Sequence, residues 1–393
     1  MKKNWDSGKL ANYIQDFIVP QRDKPKSFDG SIPWCRIEDI DGVFLSKSKS
    51  GKCVTQEAIS EMPLRVFPRD TVIVSCSADL GRCAIVSTPL VTNQTFIGLV
   101  PKPTLSPLFL YHLMTSRAVE LNAAATGATI KYLSQDKFKA LDISVPPLAE
   151  QQRIVDLIDE AFEGVATAKA NAEKNLQNAR ALFESYLQSV FTQRGPGWVE
   201  KHLKDVCEKI TDGTHQTPTY FDEGVVFLSS RNVTNRTINW DNVKYIDAKQ
   251  HVEMHKRVAP RINDILLAKN GTTGVAAIVD RDVTFDIYVS LALLRSKGEL
   301  LPQLLLHFLN SPVAKYQFNK RLKGIGVPNL HLEEIREVVI SFPKLLTEQK
   351  AVSSKLDDLR EETHRLARLY ERKLAALEAL KKSLLHEAFS GQL

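Results

Sequence analysis

The fold is decided by residues 147–194, which read PLAEQQRIVDLIDEAFEGVATAKANAEKNLQNARALFESYLQSVFTQR. Apolar or small residues recur there at alternating intervals of three and four, which places them along one side of a long α-helix. They occupy positions 154, 158, 161, 165, 168, 172, 176, 179, 183, 186 and 190. At about 1.5 Å per residue, such a helix is roughly 65 Å long. A helix this amphipathic needs a partner to cover its apolar side.

Residues 344–393 repeat the pattern and supply a partner of similar length. Their apolar or small positions are 352, 356, 359, 363, 366, 370, 374, 377, 380, 384 and 388, with Thr363 as the main polar break. Pro147 and Pro343 stand just before the two helices, where proline is tolerated. We predict that the helices pair with each other as an antiparallel coiled coil. The residues predicted to pair them are Ile154, Ile158, Leu176, Phe183, Leu356, Leu359, Leu374 and Leu377.

The globular segments that precede the two helices also match each other. Residues 72–74 (VIV) match residues 265–267 (ILL) at an offset of 193, and Gly81 matches Gly274 at the same offset. The shared pattern is a strand, a glycine-marked turn and a second strand. We therefore predict an α+β fold with an internal pseudo-two-fold repeat, in which two mixed α/β domains alternate with two long antiparallel coiled-coil helices. The predicted boundaries are 1–146 for the first domain, 147–194 for the first helix, 195–343 for the second domain and 344–393 for the second helix.

The composition is that of an ordinary globular protein, with 43% hydrophobic and 25% charged residues and a net charge of +6. This charge permits a nucleic-acid partner without requiring one. No apolar run approaches the roughly 20 residues that span a bilayer, and the first six residues turn polar at once. The five cysteines form neither a CxxC pair nor a Cys/His cluster with zinc spacing. We expect a cytoplasmic protein with reduced thiols and no membrane partner.

Four short motifs accompany the repeat. Residues 145–154 read VPPLAEQQRI, and residues 342–350, FPKLLTEQK, are a looser copy. Residues 212–218 read DGTHQTP, and residues 384–393 read LLHEAFSGQL. Together with the duplicated plan, these motifs resemble those of HsdS-type specificity subunits of type I restriction–modification enzymes, over essentially the whole chain.

This resemblance implies a non-catalytic role and no cofactor. The two domains would be target-recognition domains that read a bipartite site on double-stranded DNA, one half-site each. The partners would be two methyltransferase (M) subunits and the restriction/translocase (R) subunits. Residues 20–25, PQRDKP, stand where the first domain would carry its copy of DGTHQTP and lack the Asp-Gly-Thr-His of that motif. The halves therefore favour an asymmetric site over a palindrome.

DNA contacts can be predicted by residue type and position. Lysine and arginine bind phosphates, and Arg, Asn, Gln and Thr on loops read base edges. In the first domain the candidates are Arg22, Lys24, Lys26, Arg36, Lys47, Lys49, Lys52, Arg82 and Lys131. In the second domain they are His215, Thr217, Arg231, Asn232, Lys269, Asn270, Thr272, Thr273 and Asn329.

Motifs for catalysis are incomplete. Residues 145–148 copy the prolines of an adenine-methyltransferase motif without its polar and aromatic partners, and residues 46–53 lack the first glycine and the Ser/Thr of a P-loop. His251 and His255 are four residues apart, which suits a metal on a helix, but we interpret them as a surface face. We predict no catalytic, cofactor-binding or metal-binding residues.

Two other classes of function stay open from sequence alone. The helices by themselves fit a coiled-coil scaffold protein that does not read DNA. An orphan methyltransferase or nuclease is disfavoured by the incomplete motifs.

Overall fold

The computed structural model describes residues 5–20, 24–77, 79–127, 131–271, 273–322 and 329–392. The chain divides into two compact units. The first unit comprises Met1–Ala172 and Arg372–Leu393, and the second unit comprises Glu173–Glu371. No helix among the described residues combines the length and the hydrophobicity needed to cross a bilayer.

The first unit contains eleven strands among its described residues. They are β1 (Asp6–Lys9), β2 (Ile14–Ile18), β3 (Ile32–Cys35), β4 (Phe44–Leu45), β5 (Cys53–Val54), β6 (Val66–Phe67), β7 (Val72–Ser75), β8 (Cys83–Val86), β9 (Leu90–Thr92), β10 (Phe96–Pro101) and β11 (Asp142–Val145). Its helices are α1 (Gln56–Glu61), α2 (Pro107–Ser116), α3 (Ala118–Ala124), α4 (Gln135–Lys139) and the first part of α5 (Leu148–Thr192). The sheets have the orders β2-β10-β7-β8-β4 and β5-β3-β9-β6, and β1 pairs with β11.

The second unit follows the same plan. Its strands are β12 (Trp198–His202), β13 (Cys207–Asp212), β14 (Val225–Leu228), β15 (Val233–Thr234), β16 (Thr237–Ile238), β17 (Lys244–Ile246), β18 (Ile265–Ala268), β19 (Ala276–Ile278), β20 (Phe285–Ile287), β21 (Leu291–Ser296) and β22 (Val339–Pro343). Its helices are α6 (Leu203–Val206), α7 (Ala248–Arg257), α8 (Pro302–Leu309), α9 (Pro312–Arg321), α10 (Leu332–Arg336) and the first part of α11 (Leu346–Ser390). The sheets have the orders β13-β21-β18-β19 and β17-β14-β20, and β12 pairs with β22.

The glycine-marked turn has the same conformation in both units. Gly81 and Gly274 have φ angles of +86° and +88°, a conformation that side chains disfavour. The Gly81 amide donates to the Ser75 carbonyl at 3.1 Å, and the Gly274 amide donates to the Ala268 carbonyl at 2.8 Å. The predicted internal repeat and α+β class are therefore confirmed.

Each unit contains an antiparallel pair of helix segments. In the first unit the start of α5 packs against the end of α11, with Ile154 and Ile158 in one buried cluster with Leu385 and Ala388. An ion pair of 2.6 Å between Lys169 and Glu378 joins the same two segments. Leu374 and Leu377 of α11 are half-buried.

In the second unit the end of α5 packs against the start of α11. Phe183 and Leu356 share a buried cluster, and Leu359 packs against it. Leu176 is half-buried. The helix ends therefore pack into the domain cores as well as against each other, which a simple coiled coil does not do.

A buried glutamine fastens the start of each long helix. Gln151 is fully buried, and its Oε1 accepts from the Ser106 amide at 2.8 Å. Its Nε2 donates to the carbonyls of Thr104 and Pro146 at 2.9 and 2.8 Å. The side chain thus ties the start of α5 to the segment that leads into α2.

Gln349 makes the same three contacts in the second unit. Its Oε1 accepts from the Leu301 amide at 2.9 Å, and its Nε2 donates to the carbonyls of Glu299 and Pro343 at 2.8 and 2.9 Å. This explains why both motifs, VPPLAEQQRI and FPKLLTEQK, contain a glutamine at this place. Each glutamine satisfies three backbone groups at a domain–helix junction.

A buried histidine forms a second repeated contact. His112 of α2 lies with its Nε2 3.0 Å from Oδ1 of Asp159 on α5, and His307 of α8 lies 3.0 Å from Oδ1 of Asp357 on α11. Burial lowers the pKa of His112, Asp159 opposes this shift, and Lys381 adds to it. His112 therefore binds its proton less readily in the folded chain than in the unfolded chain.

We expect acid to destabilise the first unit through His112. Below its ordinary pKa of 6.5, the unfolded chain takes up a proton that the folded chain resists. The free energy of unfolding then decreases as the pH is lowered, by at most about 1.4 kcal/mol per pH unit for this one group. Urea denaturation at pH 7.5, 6.5 and 5.5 measures this slope, and His112→Gln should flatten it. Equal slopes for the variant and the parent would contradict the assignment.

Candidate nucleic-acid interface

A polar cleft of about 610 Å³ opens beside β14 in the second unit. We name it the Arg231 cleft, and its lining residues are Thr217, Tyr220, Ser229, Ser230, Arg231, Asn232, Asn239, Asn242, Lys244, Tyr288 and Ser290. None of these described lining residues is acidic. Hydroxyls, amides and two cations suit both phosphate oxygens and base edges.

The 3₁₀ turn Ser230–Asn232 follows β14 and positions Arg231. Asn232 is buried, and its Oδ1 accepts from the Ser229 amide at 3.0 Å. Its Nδ2 donates to the carbonyls of Asn239 and Asn242 at 3.3 and 2.9 Å. The Asn232 side chain therefore holds the turn together, whereas Arg231 is exposed, and the DNA contact predicted for Asn232 stays a prediction.

Aromatic rings form one wall of the Arg231 cleft. The Lys244 ammonium lies 5.7 Å from the ring centre of Tyr220, and the Thr217 hydroxyl lies 3.4 Å from that of Tyr288. Burial and the neighbouring Tyr288 raise the pKa of Tyr220 against the opposing charge of Arg231, so Tyr220 keeps its proton as a donor. Sequence reasoning missed Tyr220 and Lys244, although Tyr220 follows the DGTHQTP motif by two residues.

Residues of the DGTHQTP motif line a second cleft of about 670 Å³ and hold neighbouring side chains there. Asp212 is buried and lies 2.6 Å from Arg257, 3.1 Å from Lys269 and 3.3 Å from His215. Burial alone would raise the pKa of Asp212, but hydrogen bonds from Arg257 and Lys269 lower it overall. A side chain at Gly213 would lie 1.8 Å from the Ile287 carbonyl oxygen, so only glycine fits there.

Lys269 is 5% exposed and forms an ion pair of 3.1 Å with Asp212, and the DNA contact predicted for it stays a prediction. His215 is exposed at the rim of this cleft. Asn270 and Asn329 face each other across an isolated β-bridge, and neither Oδ1 atom has a hydrogen-bond partner among the described residues. The Thr273 hydroxyl lies 3.5 Å from the Lys269 carbonyl, and Thr272 lies outside the described residues.

In the first unit, three cationic side chains lie near two aromatic rings. Lys52 lies 5.0 Å from the ring centre of Phe28 and 5.9 Å from that of Trp34, and Lys24 lies 5.9 Å from Phe28. Arg36 lies 5.8 Å from Trp34 and 2.9 Å from Glu38. We name Lys24, Phe28, Trp34, Arg36 and Lys52 the first-domain cluster.

Arg36 of the first-domain cluster directly precedes a turn equivalent to that of Arg231. The 3₁₀ turn Ile37–Asp39 follows β3, and its buried Asp39 accepts from the Arg36 amide at 2.6 Å and from the Lys49 amide at 2.7 Å. Asp39 thus occupies the place of Asn232, at the predicted offset of 193.

The described contacts of the first-domain cluster include no side chain of the other first-domain candidates. Lys26, Lys47 and Lys131 are exposed without a described ion pair. Lys49 lies 3.4 Å from Asp41, and Arg82 lies 3.3 Å from Asp79 and donates to the Ile40 carbonyl at 2.7 Å. Arg22 lies outside the described residues.

Comparison with known proteins supports this architecture. Residues 13–176 and 196–373 both match the family model of the type I restriction modification DNA specificity domain. The specificity subunit of the type I restriction enzyme MjaIX from Methanocaldococcus jannaschii is 25% identical over 57% of this chain and 56% of that protein. The EcoBI specificity subunit from Escherichia coli is 23% identical over 98% of this chain and 84% of that protein.

Two solved structures share the fold. A chain from a type I R-M system has a TM-score of 0.77 at 22% identity, covering 99% of this chain and 98% of its own. The HsdS subunit from Thermoanaerobacter tengcongensis has a TM-score of 0.65 at 19% identity, covering 99% of this chain and 97% of its own. Since the family model matches both halves, the chain belongs to the type I restriction modification DNA specificity family and is a specificity subunit with two copies of the domain.

Proposed function

We propose that this specificity subunit reads an asymmetric bipartite sequence on double-stranded DNA, with one half-site for each domain. The observation that carries the proposal is the repeated 3₁₀ turn after β3 and β14, which displays different side chains in the two domains. In the first domain Arg36 directly precedes the turn and lies near the Trp34 ring together with Lys52, and in the second domain Arg231 lies within the turn and lines a cleft with Lys244 and Tyr220. One scaffold with two sets of contact residues suits two unlike half-sites.

The residues proposed to contact DNA are those that are at least partly exposed. Exposed cations would bind phosphates, and the polar side chains of the two clefts would face base edges. The proposed contacts are Lys24, Lys26, Arg36, Lys47, Lys49, Lys52, Arg82, Lys131, His215, Thr217, Tyr220, Arg231, Lys244, Asn270, Thr273 and Asn329.

The proposed partners are two M subunits and the R subunits. The long helices expose leucines that their own pairing does not cover: Leu157 and Leu182 on α5 are 40% and 51% exposed, and Leu369 and Leu380 on α11 are 44% and 46% exposed. Exposed apolar side chains along a helix suit packing against another protein. We propose that the M subunits bind there.

We also propose that the chain has no catalytic activity of its own and that it acts in the cytoplasm, where the DNA lies. Burial raises the pKa of the Cys83 and Cys207 thiols to about 12, which makes them poor nucleophiles. An S-adenosylmethionine binding assay on the chain alone tests the methyltransferase alternative, and we expect no binding.

A footprint tests the function as a whole. The chain in complex with its M subunits should protect one split sequence, and methylome sequencing of cells with and without the chain should identify the same sequence. Uniform binding to all DNA would favour the alternative of a coiled-coil scaffold that does not read DNA.

Arg231→Ala should weaken binding of the complex to its target DNA by roughly 10- to 100-fold, the effect of losing one good base or phosphate contact. Fluorescence anisotropy at fixed salt measures it. Arg261→Ala is the matched control, because Arg261 is exposed and lines neither cleft. Equal affinities for both variants and the parent would remove the Arg231 cleft from the interface.

A further inference from the structure

Helix α7 lies on the second domain without a single buried residue. It is held instead by polar contacts. Gln250 accepts from the Thr219 amide at 2.9 Å and donates to the Thr219 carbonyl at 3.1 Å, and Arg257 lies 2.6 Å from Asp212. A helix with no fully buried side chain depends largely on such contacts for its position.

The central contact of α7 is a cluster of two histidines and one carboxylate. Nδ1 of His251 lies 2.6 Å from Oδ2 of Asp286, and Nδ1 of His255 lies 3.0 Å from Oδ1. One donor atom from each of the three residues lies within 4.8 Å of the others. The Asp286 side chain on β20 is 1% exposed, whereas the histidines are 20% and 32% exposed, so the cluster is accessible from solvent through the imidazoles.

The first domain fills the equivalent position with apolar side chains. β3 pairs with β9 through Trp34 and Val91, and β14 pairs with β20 through Phe227 and Asp286, so Asp286 takes the place of Val91. Ile59 of α1, four residues after the helix cap, shares a buried cluster with Val91. His251, four residues after the cap of α7, contacts Asp286 instead.

An apolar contact in one domain is thus replaced by a buried carboxylate and two imidazoles in the other. Two histidines one helical turn apart and a facing carboxylate are a donor set that borderline divalent cations prefer, zinc above all. A cation would neutralise the buried charge and cross-link α7 to β20. We propose that His251, His255 and Asp286 bind a zinc ion that fixes α7 on the second recognition domain.

Such a site would also fix the position of the DGTHQTP segment. Arg257, at the end of α7, donates to the carbonyls of Asp212 and Gly213 at 3.2 and 3.1 Å. Fixing α7 therefore fixes the segment that carries His215 and Thr217. The site is confined to the second domain, because Val91 and Ile59 supply no ligand in the first.

The test uses the full chain, stripped of metal with a chelator and titrated with Zn²⁺ alone or with Co²⁺ as a spectroscopic probe. We expect one Zn²⁺ per chain, a d–d absorption band with Co²⁺, and a thermal midpoint that rises with Zn²⁺. His255→Gln and Asp286→Asn should each weaken Zn²⁺ binding by about 100-fold or more, beyond the effect of losing an outer-sphere partner. The control His386→Gln, at an exposed position of α11, should bind Zn²⁺ like the parent.

Circular dichroism establishes that the variants are folded, and His255 is exposed enough for its replacement to be tolerated. A stripped chain that gives no Co²⁺ band, or a His255→Gln variant that binds Zn²⁺ as tightly as the parent, would overturn the proposal and leave a hydrogen-bonded cluster only. Metal binding is measured without DNA, so this result is independent of the proposed function.

Discussion

Leu356→Asp is expected to lower the free energy of unfolding of the second unit by about 4 kcal/mol or more. Leu356 is fully buried in a cluster with Phe183, Leu187 and Phe191. Removing a buried leucine side chain costs roughly 2–5 kcal/mol, and placing an unpaired carboxylate in the same position adds to that cost. Urea denaturation followed by circular dichroism measures the change, and size-exclusion chromatography with the M subunits should show a weakened complex.

Leu369→Asp is the matched control for stability on the same helix, because Leu369 is 44% exposed, but it is no control for the complex, since Leu369 is a proposed contact of the M subunits. It should change stability by no more than about 0.5 kcal/mol. Leu374→Asp, at a half-buried position, should have an intermediate effect on the stability of the first unit, to which Leu374 belongs. If Leu356→Asp and Leu369→Asp unfolded at the same urea concentration, the packing of α11 into the second core would be wrong.

Gln349→Leu is expected to cost about 3 kcal/mol, a loss of similar size from an entirely polar contact. The substitution leaves the Leu301 amide and the carbonyls of Glu299 and Pro343 without their side-chain partner in a buried place. Each buried polar group left unpaired costs about 1–3 kcal/mol, partly relieved where water can enter. The midpoint of thermal unfolding should fall accordingly.

Gln188→Leu, an exposed glutamine on α5 in the same unit, is the control and should be close to neutral. Gln151→Leu should reproduce the loss in the first unit, because Gln151 makes the same three contacts. A neutral Gln349→Leu would show that solvent replaces the amide at no cost.

The long helices and the repeat could be predicted from sequence because both depend on local periodicity. The interval of three and four residues defines a helix side whatever the rest of the chain does. The helices run Leu148–Thr192 and Leu346–Ser390, against predicted boundaries of 147–194 and 344–393. The turn glycines Gly81 and Gly274 were identifiable for the same reason, since residues with side chains disfavour their conformation.

The direction of individual side chains could not be predicted, because it depends on partners far away in the sequence. Lys269 follows a strand beside a glycine turn, where a lysine is usually exposed. Its side chain is nevertheless buried, because it forms an ion pair with Asp212. His251 and His255 read as a surface face because their partner Asp286 lies on a strand more than thirty residues later. The contacts of Gln349 are equally distant, so its motif was visible while its cause was not.

The division of the chain into units sets an order for synthesis. The second unit is continuous, Glu173–Glu371, so all of its residues have been translated before the ribosome reaches Arg372. The first unit begins earlier, but Leu385 and Ala388 of its core come from residues that follow the second unit. The unit that begins first is therefore completed second, and part of its apolar surface stays uncovered until residues 372–393 have been translated, when the second unit already has its whole core.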